Sequence, residues 1–349
     1  MSADSLIDWL MAEGGPVIRW RTVAELGVDV SPEERVRLRS ELFAHPEVLR
    51  WLDQLRRCDR RLHHGQDGAL ENIGGKLYEL GVRAGDPEVA ALLALWNRRL
   101  AEHPQSGLEF GAFGATIVAA VLARLGCRDA AVAGWIHRRL RAIAPVARAR
   151  RFDIYIDIDT FGDCPPARRN HPLIDPALYA GSDWELQLPL IHDLYALSAA
   201  GVGDQAQADV DAVIDYILDP AYQALHEGYG NLRLGPRRYY GMGWSVHLPG
   251  FPNTGGQSPD RARTLLRVEL MAQFAAARRS DWFARMLAHL DSFRQADGRW
   301  RLPAEYLTER EGYYVLGYHM GLGENRRRPV WRELESTFRM LRLHRLAAS

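Results

Sequence analysis

The stretch DIYIDIDTFGDC, residues 153–164, contains four aspartates in twelve positions. Asp157 and Asp159 are two positions apart, and two such carboxyl groups can act as a proton donor if they are buried. Burial and a neighbouring negative charge both raise the pKa of a carboxylic acid, which keeps its proton available near neutral pH. The alternative is a solvated edge or an arginine-paired loop, where aspartate is more commonly found. The stretch therefore predicts either a catalytic acid or a polar loop.

Other titratable residues lie in apolar or aromatic segments. Glu269 lies in LLRVELMAQF, where a carboxylate on an apolar helix face must be paired or have a shifted pKa. His247, in YYGMGWSVHLPGF, is a candidate acid–base residue, and His319, in EGYYVLGYHMGLGENRR, is a candidate for substrate contact. His192 and Asp193 are adjacent in LPLIHDLYAL, and adjacent helix positions do not face each other. We expect a hydrogen-bonded core histidine there rather than a catalytic pair.

Aromatic residues are dense in the irregular part of the sequence. Aromatic faces stabilise cations and stack against apolar or sugar rings. The segment YYGMGWSVHLPGF adds glycines that let the backbone approach another group closely, so it predicts a cavity rim or lid. A loop that only packs over the protein body is the alternative. The candidate substrate-binding aromatics are Trp184, Tyr239, Tyr240, Trp244 and Phe251.

Several classes of chemistry lack their sequence signatures. The chain has no glycine-rich phosphate loop, nucleophile elbow, HExxH motif or dinucleotide fingerprint. It also has no DDxxD motif for ionising a diphosphate. We therefore predict no metal site and no cofactor.

The overall charge and composition exclude other classes. Lys+Arg and Asp+Glu are both 44, so bulk charge does not favour nucleic acid as a partner. The sequence contains no uninterrupted apolar run of about 18 residues, so we predict no membrane-spanning helix. Three widely spaced cysteines argue against a disulfide framework, and early acidic residues argue against a signal peptide. We expect a cytoplasmic protein.

The periodicity of apolar residues predicts a mostly helical chain. Ser31 and Pro32 form a helix start, with Glu34 closing a capping box. Alternating residues in RFDIYIDID predict a short strand, a long Pro- and Gly-rich loop follows it, and residues 228–256 predict a hairpin over a loop. The predicted helices cover about 32–43, 70–80, 112–125, 129–143, 184–199, 205–218, 261–278, 281–294 and 329–345. A further helix follows His45-Pro46, with Val48, Leu49, Leu52 and Leu55 on one face, and another starts at Asp86-Pro87 and carries Val89, Leu92, Leu93 and Trp96.

Pairs of helices joined by turns with glycine and an aromatic residue recur along the chain. This pattern favours an all-α fold, an α/α toroid of helical hairpins with irregular loops and a short β-hairpin over a central cavity. A helical solenoid is the alternative. The long loops favour the closed toroid, because they need a rigid body to cover. We expect one toroid domain over residues 1–349, with the N-terminal helices of residues 1–60 packing onto it.

The chain contains three short motifs, FRQADGRW (293–300), HHGQDGALENIGGKLYELG (63–81) and DIDT (157–160). They resemble motifs of squalene-hopene cyclases and related terpene cyclases and prenyltransferases. FRQADGRW, residues 293–300, resembles the aromatic–Gln–Gly–Trp turn that recurs in this toroid superfamily. HHGQDGALENIGGKLYELG is a looser match. Residues 157–160, DIDT, resemble the acid motif of class II terpene cyclases. The resemblance implies a small apolar substrate. It also implies that Asp159 protonates an alkene or epoxide of that substrate and that Asp157 supports it.

Three functions remain open on the sequence. The first is a terpene-cyclase-like enzyme (an isomerase or lyase) that cyclises an isoprenoid after protonation, with Tyr239, Tyr240 and Trp244 as the cavity wall. The second is a carbohydrate-active (α/α) enzyme, a glycoside hydrolase or lyase, in which carboxylates flank the glycosidic bond. The third is a non-catalytic helical-repeat protein that binds a protein or a metabolite.

Overall fold

The computed structural model describes residues 2–103, 105, 108–179, 183–200, 204–251 and 261–349. This part of the chain is mostly helical, with one small sheet. The α-helices are α1 (Ala3–Glu13), α2 (Pro16–Glu25), α3 (Pro32–Ala44), α4 (Pro46–Arg57), α5 (Leu70–Glu79), α6 (Pro87–Ala101), α7 (Gly111–Leu125), α8 (Ala130–Arg148), α9 (Ile191–Ala199), α10 (Asp204–Leu218), α11 (Pro220–Gln223), α12 (Arg261–Met271), α13 (Ala275–Arg278), α14 (Asp281–Asp291) and α15 (Trp331–Ala347). The strands are β1 (Tyr155–Ile156), β2 (Leu173–Ile174), β3 (Gly230–Gly235) and β4 (Arg238–Met242).

The chain divides into two compact units. Unit 1 comprises Met1–Leu93 and Pro259–Ser349, and unit 2 comprises Ala94–Ser258. The boundary falls inside α6. The mostly helical character agrees with the sequence analysis, whereas the single toroid over residues 1–349 stays a prediction.

Unit 1 is built from neighbouring helices that pack in chain order. Helices α1 to α5 contact one another consecutively, and α15 packs against α1 and α2. The predicted start of α3 is present, because the Ser31 side chain accepts a hydrogen bond from the Glu34 backbone N–H at 3.2 Å. His45 begins α4 in the same way, since its Nδ1 lies 3.3 Å from the Glu47 nitrogen. Local capping therefore sets these helix boundaries.

The turn at residues 293–300 has the geometry that its sequence suggests. The Gln295 amide donates to the Phe293 carbonyl at 3.1 Å and so ties the end of α14 to the turn. Gly298 has a φ of 92°, which a side chain would disfavour. The indole N–H of Trp300 donates to Asp291 at 3.1 Å, and the guanidinium of Arg294 lies 4.7 Å from the Trp300 ring centroid. Local contacts thus account for the turn.

Unit 2 is organised around α7, which is buried along nearly its whole length. Its small residues let α8 and α9 pack closely against it, and α8 also packs against α10. The helix ends at Gly126, whose φ of 99° allows the Cys127 N–H to bond back to the Leu122 carbonyl at 2.9 Å. Helix α7 therefore serves as the rigid centre of this unit.

The sheet of unit 2 has the strand order β1-β2-β3-β4. Strands β1 and β2 are antiparallel, β2 and β3 are parallel, and β3 and β4 form an antiparallel hairpin. The hairpin pairs Leu232 with Tyr240 and turns at the predicted GPRR segment. The part of the predicted irregular region at 252–256 lies outside the described residues.

Three predicted elements differ from the structure. The helix predicted at 184–199 begins only at Ile191, because Pro189 disfavours helical backbone before it. The Gln187 N–H bonds instead to the Leu178 carbonyl at 2.8 Å. The helix predicted at 261–278 is broken between α12 and α13, and the strand at 152–159 is reduced to the two residues of β1.

No helix in the described residues is both long and apolar enough to cross a membrane.

Candidate functional site

Unit 2 contains a cavity of about 220 Å³. Its walls come from the start of α7, the segment before α9, and the β3–β4 hairpin. Most of its surface is apolar. The lining residues are Phe110, Ala112, Phe113, Thr116, Arg139, Trp184, Leu186, Leu190, Leu232, Leu234, Tyr240 and Met242.

The hairpin forms one wall through strand alternation. Leu232 and Leu234 are two residues apart on β3, and Tyr240 and Met242 are two apart on β4, so each pair projects from one face. Leu232 pairs directly with Tyr240 across the hairpin. The register of this hairpin therefore determines which side chains reach the cavity.

The start of α7 forms a second, aromatic wall. The ring centroids of Phe110 and Phe113 are 6.2 Å apart, and that of Phe110 is 6.5 Å from Tyr240. Phe113 also contacts His192 edge-to-face at 5.5 Å. Offset and edge contacts of this kind add stability beyond the buried area alone.

Arg139 is the charged residue among the lining residues, and it is buried and paired. Its Nε and Nη2 donate to the two carboxylate oxygens of Asp193 at 2.9 and 3.0 Å. Its Nη1 donates to the Leu186 carbonyl at 2.8 Å and to Glu185 at 3.3 Å. Burial opposes the charge, but the two neighbouring carboxylates raise the pKa of Arg139 above its ordinary value. The guanidinium is therefore neutralised by the protein itself.

Thr116 is similarly engaged within the protein. Its hydroxyl donates to the Ala112 carbonyl at 2.8 Å and accepts the indole N–H of Trp135 at 3.2 Å. A hydrogen-bonded hydroxyl on an apolar wall has little left to offer a ligand. The cavity is therefore suited to apolar groups.

Two lining aromatics have left-handed backbone. Phe110 has a φ of 66° and Trp184 a φ of 49°. Such values are strained for large side chains, and each costs on the order of 1 to 3 kcal/mol. Trp184 is also 40% exposed, so it lies at the open side of the cavity. Strained residues often cluster at functional sites, and these two meet at one cavity.

The structure brings together two of the five predicted aromatics. Trp184 and Tyr240 line the cavity, but Tyr239 projects to the other face of β4 and donates to Asp163 at 2.7 Å. Partial burial and this hydrogen bond raise the pKa of Tyr239 to about 12. Trp244 lies outside the lining, with its ring 6.3 Å from that of His192. Phe251 is half-buried at the edge of the described residues.

Asp157 and Asp159 are exposed rather than buried. The Asp157 carboxylate accepts the Asp159 backbone N–H at 2.9 Å, and the Asp159 carboxylate lies 3.1 Å from the Arg169 guanidinium. Neither residue lines the cavity. These positions match the polar-loop interpretation of the sequence and lack the burial that a proton donor to an alkene needs.

His247 is buried but both its ring nitrogens are used. Nδ1 lies 2.8 Å from the Ser245 hydroxyl, and Nε2 lies 3.0 Å from the Leu225 carbonyl. The Ser245 hydroxyl also accepts the Gly228 N–H at 2.8 Å. His247 thus ties the segment after β4 to the end of α11 and does not line the cavity.

Glu269 belongs to a buried ion network in unit 1. Its carboxylate lies 2.7 Å from Arg339, whose guanidinium also donates to Glu79 at 2.9 Å. Tyr314 donates to the other oxygen of Glu79 at 2.6 Å. Because Glu269 is paired within the core, it joins α12 to α15.

Glu335 is the more unusual carboxyl group in this network. One oxygen accepts the Leu322 N–H at 2.9 Å, and the side chain is fully buried. Burial raises the pKa of Glu335 to about 7. Sequence reasoning missed this residue, since RELESTFRM around it, residues 332–340, gives no sign of how deeply the helix is buried.

His319 lies in unit 1 between two carboxylates. Its Nδ1 is 3.9 Å from Glu309 and its Nε2 is 3.7 Å from Asp67, while Nε2 lies 2.9 Å from the Gly312 carbonyl. Burial alone would raise the pKa of Glu309. The Lys76 ammonium, 2.6 Å away, outweighs that effect and contributes to lowering the pKa to about 2. His319 therefore belongs to a polar cluster of unit 1.

Sequence reasoning also missed Phe110, Phe113 and Arg139. A signal for Arg139 was present: it follows Val132 and Ile136 at helical spacing, on the apolar stripe of α8. An arginine at such a position requires a buried partner. Phe110 and Phe113 flank a glycine-rich helix start, which gives no hint of a ligand wall.

In the described part of the chain, no group of three or more His, Cys, Asp and Glu residues is arranged to hold a metal ion. Comparison of the chain with protein-family models, with curated proteins and with solved structures finds no match.

We predict that Arg139→Met destabilises the protein strongly. The substitution leaves the buried Asp193 without its cation, whereas Glu185 keeps Arg138, and breaking such a buried pair costs about 3–5 kcal/mol. Arg138→Met is the matched control, because Arg138 is partly exposed in its pairs with Asp183 and Glu185 and should contribute less than about 1 kcal/mol. Urea unfolding measures both changes. Equal effects of the two variants would contradict the prediction.

We predict that Glu335 makes stability fall as pH rises from 4.5 to 7. The unfolded carboxyl loses its proton near pH 4.5, whereas the folded one keeps it to about pH 7, so the folded state binds more protons in this window. The decrease is on the order of 3 kcal/mol. Glu335→Gln should flatten the pH dependence of urea unfolding relative to the wild type, while Glu333→Gln on the same helix should not. An unchanged slope in Glu335→Gln would refute this role.

Proposed function

We propose that unit 2 binds a small, uncharged, apolar molecule in the cavity beside α7. The observation that carries this proposal is the wall of aromatic and aliphatic side chains around about 220 Å³. Ligand sites in proteins are typically concave and mostly apolar, with few polar groups. A hydrocarbon or an aromatic ring would gain the free energy of leaving water without losing hydrogen bonds there.

The polar groups of the lining further limit which chemical classes of ligand the cavity can bind. Arg139 is neutralised by Asp193 and Glu185, and the Thr116 hydroxyl is hydrogen-bonded on both sides. An anion in the cavity would therefore meet a guanidinium whose charge is already neutralised. An alcohol would lose its hydrogen bonds to water and gain none in return. These contacts favour an uncharged hydrocarbon-like ligand over a sugar or a phosphate ester.

The cavity volume limits the ligand size. A dry protein cavity of about 150 Å³ accommodates benzene. The cavity beside α7 is larger, at about 220 Å³, so it suits a bicyclic aromatic or a small cyclic isoprenoid. Partly exposed Trp184 offers a stacking surface at the entrance.

The same ligand class fits the resemblance to terpene cyclases. We propose that the helical pairs belong to an α/α toroid of that superfamily, supported by the turn at residues 293–300 and by the consecutive contacts of α1 to α5 and of α7 to α9. Isoprenoid hydrocarbons would be the expected ligands of such a protein.

The position of Asp159 does not support protonation by that residue. It is exposed, paired with Arg169, and absent from the lining. The described lining residues also include no carboxylic acid, so they lack the two flanking carboxylates that sugar hydrolysis requires. Binding of an apolar ligand is thus the function that the cavity geometry supports best.

We predict that filling the cavity weakens apolar binding. Ala112→Leu adds carbon atoms to the lining on α7 and should weaken limonene or naphthalene binding at least about tenfold, since the leucine occupies the ligand volume. Isothermal titration calorimetry measures the affinity and the negative heat-capacity change of apolar burial.

The control is Ala133→Leu, the same substitution at an exposed position of α8. It should retain wild-type affinity, and glucose should bind to neither protein. Equal limonene affinity in Ala112→Leu and the wild type would reject the cavity as the binding site.

We predict that Asp159→Asn has little effect. The variant removes a surface charge paired with Arg169, so the unfolding free energy should change by less than about 1 kcal/mol and limonene affinity by less than about twofold. Calorimetry and urea unfolding check both values. Loss of isoprenoid turnover or binding in a folded Asp159→Asn variant would instead assign this residue an active role.

A further inference from the structure

A pair of histidines lies apart from the cavity lining in unit 2. The Nδ1 of His171 is 3.2 Å from the Nε2 of His226, and the two ring centroids are 5.1 Å apart at an angle of 85°. His171 is exposed and His226 is half-buried. The two ring nitrogens therefore face each other at the protein surface.

Backbone contacts hold both residues in place. The His171 carbonyl accepts the Asn231 side chain at 3.1 Å, immediately before β2. The His226 N–H donates to the Tyr155 hydroxyl at 3.0 Å, and its carbonyl accepts the Tyr229 N–H at 2.8 Å. The pair is thus positioned by the sheet and by the end of α11, and it needs little rearrangement to bind an ion.

The distances fit two ligands of one tetrahedral ion. Zinc–nitrogen bonds of about 2.05 Å at a tetrahedral angle place two imidazole nitrogens about 3.3 Å apart and the ring centroids about 5.2 Å apart. A collinear N–H···N hydrogen bond at the observed nitrogen separation would hold the centroids about 5.5 Å apart. The observed 3.2 and 5.1 Å match the converging arrangement within 0.1 Å. Without an ion, the same contact is a bent N–H···N hydrogen bond, which a metal ion between the two nitrogens would replace.

We propose that His171 and His226 form a surface site for a divalent transition-metal ion of the zinc type. Imidazole nitrogen is a preferred ligand of such ions. The described residues supply no third His, Cys, Asp or Glu to the site, so water or a ligand from another molecule completes the coordination. This site is independent of the proposed apolar ligand.

The Nδ1 of His226 limits the affinity. It is buried without a hydrogen-bond partner. When Nε2 binds a metal ion, Nδ1 must carry the proton, and an unpaired buried N–H weakens the complex. We therefore expect an exchangeable site rather than a structural one.

Isothermal titration of the full chain with zinc chloride tests the proposal. The wild type should bind one zinc ion at this site, and His171→Ala and His226→Ala should each weaken that binding at least tenfold. His137→Ala removes an exposed histidine of α8 and should retain wild-type affinity. Absence of zinc binding by the wild type would overturn the proposal, as would unchanged binding in both pair variants.

Nitrogen NMR of the histidine side chains provides a second readout that does not depend on the folding of a variant. Zinc should shift the resonances of His171 Nδ1 and His226 Nε2 in the wild-type protein. The chain has twelve histidines, so the assigned nitrogens identify the site. Shifts confined to other histidines would show that zinc binds elsewhere and would overturn the assignment.

Discussion

The buried pair of Arg139 and Asp193 is the interaction on which the cavity depends. It joins α8 to the first turn of α9, and Asp193 also accepts the Leu190 N–H at 2.9 Å. The remaining donors of Arg139 hold the carbonyls of Leu186 and Leu188. A buried guanidinium is tolerated only when its donors are satisfied, so the pair fixes the segment that carries the cavity wall. It also leaves that wall without free charge.

The aromatic walls add a second constraint, which is backbone strain. Phe110 and Trp184 have positive φ values, although neither is a glycine. Their surroundings must hold them in place: α7 follows Phe110 directly, and the segment held by Arg139 follows Trp184. A protein that retains strain at two walls of one cavity is pre-organised there, which reduces the ordering that a ligand must impose.

The polar residues that attract attention in the sequence mostly stabilise the protein. Glu269 neutralises Arg339, and His247 connects Ser245 to the Leu225 carbonyl. Buried polar side chains require partners. Here those partners engage the ring nitrogens of His247 and the carboxylate of Glu269, which are the groups that catalysis would need. The apolar residues of α7 and the hairpin, by contrast, leave an open volume. The unfilled apolar space of unit 2, and not its titratable groups, is therefore the feature available to a ligand.

The sequence by itself determined the local structure, because caps and turns involve residues close along the chain. Ser31 and Glu34 predict the start of α3, and the GPRR turn predicts the hairpin. Tertiary structure decided the site. Arg139 binds Asp193, which lies 54 residues further along the chain. The alternation of side chains along β4 places Tyr239 and Tyr240 on opposite faces, but the sequence does not show which of the two faces α7. Whether Asp159 is a buried acid or a surface carboxylate likewise depended on tertiary structure, which exposes it to solvent and pairs it with Arg169. Burial and long-range pairing, which set the properties of polar groups, exist only once the chain is packed.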